Sequence, residues 1–282
     1  MTIHEHPNQI GLIAQRTFEE DGRVVRIIHY CLGPSAKPSP TVEESDLVEA
    51  GVTTIKYDAN GREVETHTTG LTSVMAGAKT EYNEDGSPRE ITFSDAGERV
   101  SHRNLYRNNM CVTELHYNAD GVLAGIRGEV TPKHDLPAWG KAVDDVACAV
   151  VPTRARGDFA GMGLWITARN TGKGERKIVT IGKDRPEFLV EVRHADGTLV
   201  EQDPKYVKER FEEGQRGNPN DKDVAQTLSP GKAEMVQWGQ QLSHWYADLR
   251  PGKYQVTVTC RAGEEFNVVS SAAAFEIVAA PR

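Results

Sequence analysis

The sequence predicts an all-β protein made of an antiparallel meander of β-hairpin repeats followed by a β-sandwich with one short helical insertion. Three observations lead to this fold class. The chain of 282 residues is long enough for two domains. Its first half repeats an aromatic residue and a turn signal, and its second half holds short strand-like segments between turns. We place the repeat sheet in residues 1–132 and the sandwich in residues 133–282.

The repeat pattern of the first half is an aromatic residue followed four positions later by Gly. It occurs more often than the content of Phe, Tyr and Gly explains by chance. The copies are Phe18/Gly22, Tyr57/Gly61, Tyr82/Gly86, Phe93/Gly97 and Tyr117/Gly121.

The residue before the Gly predicts a tight turn. It is Asp21, Asn60, Asp85 or Asp120 in four copies, and Asp196 precedes Gly197 in a further hairpin of the second half. Asp-Gly and Asn-Gly are the preferred central pair of type I′ turns, in which both residues have positive φ. We therefore expect these residues to shape turns rather than to bind calcium.

The spacing of the copies predicts the sheet topology. The aromatic residues recur at multiples of about 12 residues, and Tyr30 and Tyr106 fall on missing positions of this series. One unit then corresponds to one strand and one turn. The prediction is an up-and-down meander of eight or more strands.

This half resembles the YD repeats of the Rhs family, in which Tyr-Asp is followed by a Gly turn. The nearest copy is "YDANGREVE" at residues 57–65, and "YNEDG" and "YNADG" are close to it. It is also similar to the MORN-type repeats of some bacterial antitoxins. The resemblance implies a curved, open β-sheet without catalytic residues.

The second half contains seven strand candidates, which fit an immunoglobulin-like sandwich. A helical insertion is predicted from Asp203, a suitable N-cap, to Gly217. The candidates are "DDVACAVVP", "GMGLWITARNTG", "RKIVTIG", "PEFLVEVRHADGTLVEQ", "KAEMVQW", "GKYQVTVTC" and "AAAFEIVA".

Two turns in this half, "LSPGK" at residues 228–232 and "LRPGKYQVTV" at residues 249–258, carry a second resemblance. Their arrangement is similar to that of the BsuPI family of intracellular proteinase inhibitors, which have an Ig-like sandwich. The resemblance implies a protein-binding role and leaves inhibition itself open.

The cysteines allow two interpretations. Cys148 and Cys260 fall on the apolar faces of their predicted strands, as buried thiols do. A bridge between them across the sandwich is the alternative. No pair of cysteines has metal-site or redox-motif spacing.

Charge and composition exclude several classes. A net charge of -8 and a pI near 5.6 leave no basic stripe for nucleic acid. No apolar run is long enough to span a membrane. The amino terminus has no signal-peptide pattern, so we expect a cytoplasmic protein if Met1 is the native start. No motif for catalysis, a metal or a cofactor occurs, and none indicates an oligomeric state.

The candidate binding residues lie in "VQWGQQLSHWYADLRPG": Trp238, His244, Trp245 and Tyr246. Aromatic residues with polar tips are frequent at binding surfaces, but they also fill sandwich cores and close corners. The function most consistent with both halves is a non-enzymatic protein-interaction module, in its specific form an inhibitor or immunity-type protein. The alternatives are a carbohydrate- or cell-surface-binding module that uses the Trp-rich segment, and an enzyme with a site between the domains.

Overall fold

The computed structural model describes most of the chain. The described residues are 12–32, 47–70, 77–95, 98–136, 138–181, 188–206, 208–209, 224–262 and 265–279. The chain divides into two compact units, residues 1–112 and 113–282. The second unit includes the hairpin around Gly121, which the sequence assigned to the repeat half.

The first unit contains a meander of strands in chain order, as predicted from the spacing of the aromatic residues. Each strand pairs antiparallel with the next one along the chain. The strands are β1 (Leu12–Glu20), β2 (Arg23–Leu32), β3 (Leu47–Tyr57), β4 (Glu63–Thr69), β5 (Gly77–Tyr82), β6 (Pro88–Ser94) and β7 (Val100–Arg107), and β8 (Met110–Tyr117) continues across the unit boundary.

The turns that follow Tyr57, Tyr82 and Tyr117 differ from the predicted type I′ geometry. Gly61, Gly86 and Gly121 have φ of 81°, 81° and 75°, but Asn60, Asp85 and Asp120 are not among the residues with positive φ. Each Gly amide instead donates to the carbonyl three residues earlier, on Asp58, Asn83 or Asn118. This is a type I turn closed by a left-handed Gly, which forms a β-bulge.

The residue directly after the Tyr holds two of these turns. The Asp58 carboxylate accepts hydrogen bonds from the amides of Asn60 and Arg62, both at 2.9 Å. Asn118 does the same for the amides of Asp120 and Val122. In the hairpins at Gly86 and Gly197, the Asp directly before the Gly has this role instead. The Asp85 carboxylate accepts the amide of Ser87, and the Asp196 carboxylate accepts the amide of Thr198, both at 2.9 Å.

The copy at Phe93 is shifted by one residue. Asp95 starts this turn, and the amide that donates to its carbonyl belongs to Glu98, which has φ of 60°. Gly97 lies outside the described residues. The aromatic-x-x-x-Gly pattern thus misplaced this turn, because Asp95 accepts the amide of Arg99 and sets the turn position.

In the described part of the chain, two-residue turns with positive φ at both positions occur in three places. Asp21 and Gly22 form one, with φ of 49° and 75°. The others are Asn108–Asn109 and Asp144–Asp145, which lack Gly. Asn and Asp tolerate this conformation better than other residues with a side chain, so the Gly-based pattern could not find them.

The second unit contains two sheets. In one, β8 and β9 (Leu123–Glu129) are followed in space by β16 (Lys232–Gln241), β12 (Gly163–Asn170) and β10 (Val146–Pro152). The other is ordered β11 (Arg156–Gly157), β19 (Ala273–Ile277), β17 (Gly252–Ala262), β13 (Arg176–Ile181) and β15 (Val224–Leu228), and β14 (Phe188–His194) and β18 (Glu265–Val269) pair with β17. All seven strand candidates are confirmed. The sequence did not predict three further strands, β11, β15 and β18.

The main hydrophobic core belongs to the second unit. It contains side chains of β10, β12 and β16 from one sheet and of β13, β14, β17, β18 and β19 from the other. Its largest fully buried members include Phe188, Leu164 and Ile166. This two-layer packing is that of a β-sandwich.

The predicted helical insertion begins as expected. Residues 204–206 and 208–209 are helical. The Asp203 carboxylate accepts the amides of Lys205 and Tyr206 at 2.9 and 3.4 Å, as an N-cap does. Residues 207 and 210–217 lie outside the described part. No helix among the described residues has the length and apolar character to cross a membrane.

Candidate functional site

The aromatic segment predicted to bind a ligand is mostly part of the sandwich core. Trp245 and Tyr246 are only 7% and 3% exposed, and the Trp245 ring lies 5.4 Å from that of Phe188. His244 is exposed at the end of a short 3-10 helix, Leu242–His244. Trp238 lies in β16, and its side chain is outside the described part.

Tyr246 has a structural role that its burial explains. Its hydroxyl accepts the backbone amide of Val192 at 2.9 Å and thereby ties the segment after β16 to β14. Burial raises the pKa of Tyr246 above its ordinary value. Trp245 and Tyr246 are thus almost inaccessible in the folded protein, which favours their role in the core. Ligand binding by the segment stays a prediction.

The first unit offers a different surface, which the strand register reveals. Residues opposite one another on paired strands point to the same side of a sheet, and so do residues two apart along a strand. A set of residues opposite one another on successive strands forms a row across the sheet. Two adjacent rows on one side of the sheet contain no Lys, Arg, Asp or Glu. We call this surface the uncharged face; its rows are Thr17, Ile27, Thr53, Thr68, Ala78, Phe93 and His102, and Ile55, Thr66, Thr80, Ile91 and Asn104.

The opposite side of the same strands is rich in charge, and we call it the charged face. Its rows are Arg26, Thr54, His67, Lys79, Thr92 and Arg103, and Lys56, Glu65, Glu81, Glu90 and Leu105.

Ion pairs connect the strands on the charged face. Lys79 Nζ lies 2.9 Å from Glu65 and 3.0 Å from Glu81, and Lys56 Nζ lies 2.6 Å from Glu65. The hydrogen bond that Lys56 donates to Glu65 is the main cause of the lowered pKa of Glu65. The bond that Lys79 donates to Glu65 is the main cause of the raised pKa of Lys79. These side chains remain partly exposed, so each pair contributes little to stability.

The uncharged face is only partly covered. Ile27, Ile55, Ile91 and Phe93 are all half-buried. Among the described side chains of the first unit, only those of Ile28 and Thr53 are buried. All described strands of this unit belong to one sheet, so within the described residues of the unit no second sheet packs on its β-branched and aromatic side chains.

Side chains on this face are ordered by contacts across the strands. Thr53 Oγ1 lies 2.8 Å from Thr68 Oγ1 and 2.9 Å from His29 Nε2. Burial lowers the pKa of His29 below its ordinary value, so this side chain is neutral at pH 7. The rings of Phe93 and His102 are stacked with centroids 4.1 Å apart. These contacts preorganise the two rows, which contain no charged residue of their own. One carboxylate, that of Glu63 at the start of β4, accepts a hydrogen bond from the Thr66 hydroxyl.

Tyr57 and Tyr82 lie at the ends of β3 and β5, next to the uncharged face. The Tyr57 hydroxyl donates to the carbonyl oxygen of Val24 at 2.9 Å, which joins β3 to β2. Tyr82 is half-buried, with its hydroxyl 3.4 Å from Thr66 Oγ1. The sequence pattern found these residues as markers of turns. It did not show the face itself, because membership in a row depends on strand register.

No group of three or more His, Cys, Asp or Glu side chains in the described residues is placed to hold a metal ion. No protein-family model matches the chain, and no curated protein sequence matches it. The likeness to YD repeats and to BsuPI-type sandwiches thus rests on the motifs alone.

Proposed function

We propose that this chain is a non-enzymatic protein-interaction module and that it binds a protein partner through the uncharged face of its first unit. The observation that carries the proposal is the contrast between the two sides of one sheet. Ile55 and Ile91 lie in a row without charge, whereas Lys56 and Glu90, their neighbours in sequence, lie on the charged face. A half-buried apolar sheet face gains free energy when a second surface covers it.

The chemistry of the face defines its partner. Charged residues are depleted at the centres of protein interfaces and aromatic residues are enriched there. The face fits this composition, with Ile55, Ile91 and Phe93 near its centre and the Thr hydroxyls between them. We therefore expect a broad, uncharged protein surface as the partner. A row of charged side chains would lose its hydration here without gaining an opposite charge.

An inhibitor or immunity-type role is the finer form of this proposal. It is supported by the likeness of "YDANGREVE" to repeats found in Rhs proteins and of "LRPGKYQVTV" to a proteinase-inhibitor sandwich. In that form the partner is a toxin or a hydrolase, and binding blocks its activity.

The carbohydrate-binding alternative has lost its main support. It relied on the Trp-rich segment 238–246 as a stacking platform, and Trp245 and Tyr246 of this segment are buried in the second unit. A sugar ring cannot reach either aromatic face without opening the core.

The proposal is tested by affinity capture with matched charge substitutions. The purified chain, Ile55→Lys and Thr54→Lys serve as baits in an extract of the source cells, and captured proteins are identified by mass spectrometry. The two variants add the same charge at neighbouring positions of β3, one on each face. Circular dichroism checks that both variants fold.

We expect the unchanged chain and Thr54→Lys to capture the same protein in similar amounts. Folded Ile55→Lys is expected to capture at least about tenfold less of it, because a buried unpaired charge is costly at an interface. The same protein, once purified, must then bind directly with a measurable Kd. Equal capture by both variants would contradict the assignment of the face. Absence of a specific partner for the unchanged chain would contradict the proposed function.

A further inference from the structure

The two buried cysteines of the sandwich carry a further inference. Cys148 lies on β10 and Cys260 on β17, so they belong to different sheets of the second unit. Their Sγ atoms are 2.8 Å apart, and both residues are fully buried. We propose that Cys148 and Cys260 form a disulfide that links the two sheets when the chain folds under oxidising conditions.

The distance favours a bond over two thiols in contact. Non-bonded heavy atoms in protein interiors pack at about 3.5–4.0 Å, and sulfur is larger than carbon. A separation of 2.8 Å is therefore too short for two sulfur atoms at rest in a packed core. Closing the bond to about 2.05 Å requires a movement of less than about 1 Å.

The surroundings hold both residues in place. Cys148 is opposite Ala168 of β12, and Cys260 is opposite Phe188 of β14 and Val268 of β18. Cys148 is held by pairing with one neighbouring strand and Cys260 by pairing with two, so the backbone is fixed at both positions. The disulfide thus connects two sheets whose inner faces already meet in one core.

The bond is formed by thiol–disulfide exchange with a small disulfide such as glutathione disulfide. One cysteine thiolate attacks a sulfur of the reagent, breaking its S–S bond and releasing one thiolate. The second cysteine thiolate then attacks the first cysteine's sulfur and releases the other reagent thiolate. The protein loses two electrons and two protons, and two reagent thiols are formed.

Burial determines when this exchange takes place. Because neither sulfur is accessible in the folded unit, the reagent reaches them while the chain is folding or transiently open. The disulfide closes a loop between residues 112 positions apart in sequence, so it strongly restricts the unfolded chain. Disulfides persist in oxidising compartments, so the bond is expected to be kept there and to be lost in a strongly reducing one.

The test is refolding of the full chain from denaturant in a mixture of reduced and oxidised glutathione. Thiols are then blocked with iodoacetamide in denaturant without reductant, and peptides are mapped by mass spectrometry. We expect a cross-linked peptide pair containing Cys148 and Cys260, with Cys31 and Cys111 alkylated. The melting temperature of this material is expected to fall by at least about 5 °C on reduction.

Matched variants make the result specific. Cys31→Ala and Cys111→Ala are expected to keep the cross-link and the shift in melting temperature on reduction. Cys260→Ala is expected to abolish both and to leave Cys148 alkylated. Alkylation of Cys148 and Cys260 to the same extent as Cys31 in refolded protein would overturn the proposal, as would a cross-link between other pairs.

Discussion

The hydroxyl of Tyr254 donates a hydrogen bond to the carbonyl oxygen of Arg250 at 2.6 Å. This contact closes the turn in "LRPGKYQVTV", and the Tyr254 ring packs on Phe275 with centroids 5.5 Å apart. It has the geometry of the tyrosine corner of β-sandwich domains. From the sequence, Tyr246 was a candidate for such a corner. Its hydroxyl instead accepts a hydrogen bond from the backbone amide of Val192 on β14.

The corner predicts a measurable loss of stability on removal of one atom. Tyr254→Phe is expected to lower the free energy of unfolding by about 0.5–1.5 kcal/mol, because it deletes the hydrogen bond and keeps the ring. Urea unfolding of both proteins measures the difference. Tyr82→Phe is the comparison in the first unit, since Tyr82 is only half-buried and its contact with Thr66 is long, at 3.4 Å. An equal loss in both variants would contradict the role of the corner.

Burial of Trp245 predicts a structural rather than a binding phenotype. Trp245→Ala is expected to reduce the free energy of unfolding by about 3–5 kcal/mol, because it leaves a cavity beside Phe188. His244→Ala is expected to change it by less than about 0.5 kcal/mol, since His244 is exposed. Chemical denaturation compares the two, and a small effect of Trp245→Ala would show that this ring is not part of the core.

The shifted turn at Asp95 predicts a stabilising substitution. Glu98 has φ of 60°, a conformation that costs a residue with a side chain about 1–2 kcal/mol. Glu98→Gly removes this strain, and the greater freedom of Gly in the unfolded chain offsets part of the gain. The expected net effect is an increase in stability of about 0.5–1 kcal/mol.

Gly86→Ala is the reciprocal experiment. Gly86 has φ of 81°, and no atom lies within 4 Å of an added Cβ, so conformational strain is the only cost. It is expected to destabilise the protein by about 1–2 kcal/mol. Urea unfolding measures the change in the free energy of unfolding for Glu98→Gly and Gly86→Ala. If both changes have the same sign, the assignment of Glu98 to the left-handed turn position is contradicted.

His29 predicts a pH dependence of stability. Burial lowers its pKa in the folded state, so below the ordinary value of about 6.5 the unfolded chain binds protons more readily. The contribution of neutral His29 to the free energy of unfolding is therefore complete above about pH 6.5. It is lost as the pH falls from this value through the lowered pKa of the folded state. Its direct strand partners, Gln15 and Gly51, carry no charge that would reverse this direction.

Denaturation at pH 7.5 and 5.5 measures this effect. The unchanged chain is expected to lose more stability between these values than His29→Gln, which does not titrate but can still reach Thr53. Equal losses in the two proteins would show that other groups are responsible. Protonation also places a charge beside the uncharged face, so affinity for the partner is expected to weaken over the same range.

The fold class was predictable because turns and strand composition are local properties. The recurrence of Tyr57, Tyr82 and Tyr117 before Gly residues was sufficient to predict a meander. The geometry of the turns was harder to predict from the sequence. The aromatic-x-x-x-Gly pattern drew attention to Asn60, whereas the hydrogen bonds that hold the turn come to Asp58.

The candidate site was less predictable, since it depends on non-local pairing. Whether Ile55 lies beside Thr66 and Thr80 is decided by the register of three strands, which no single segment reveals. Trp245 and Tyr246 stood out in sequence for their aromatic character alone. Such residues serve cores and interfaces equally well, and only their packing distinguishes the two.

The most direct test of the proposed surface is site-specific photo-cross-linking from β6. A photoreactive phenylalanine analogue is placed at Ile91 on the uncharged face or at Thr92 on the charged face, and each folded variant is irradiated with the captured partner. We predict a covalent adduct from position 91 and none from position 92. An adduct from position 92 alone, or none from position 91 while the partner remains bound, would contradict binding through the uncharged face.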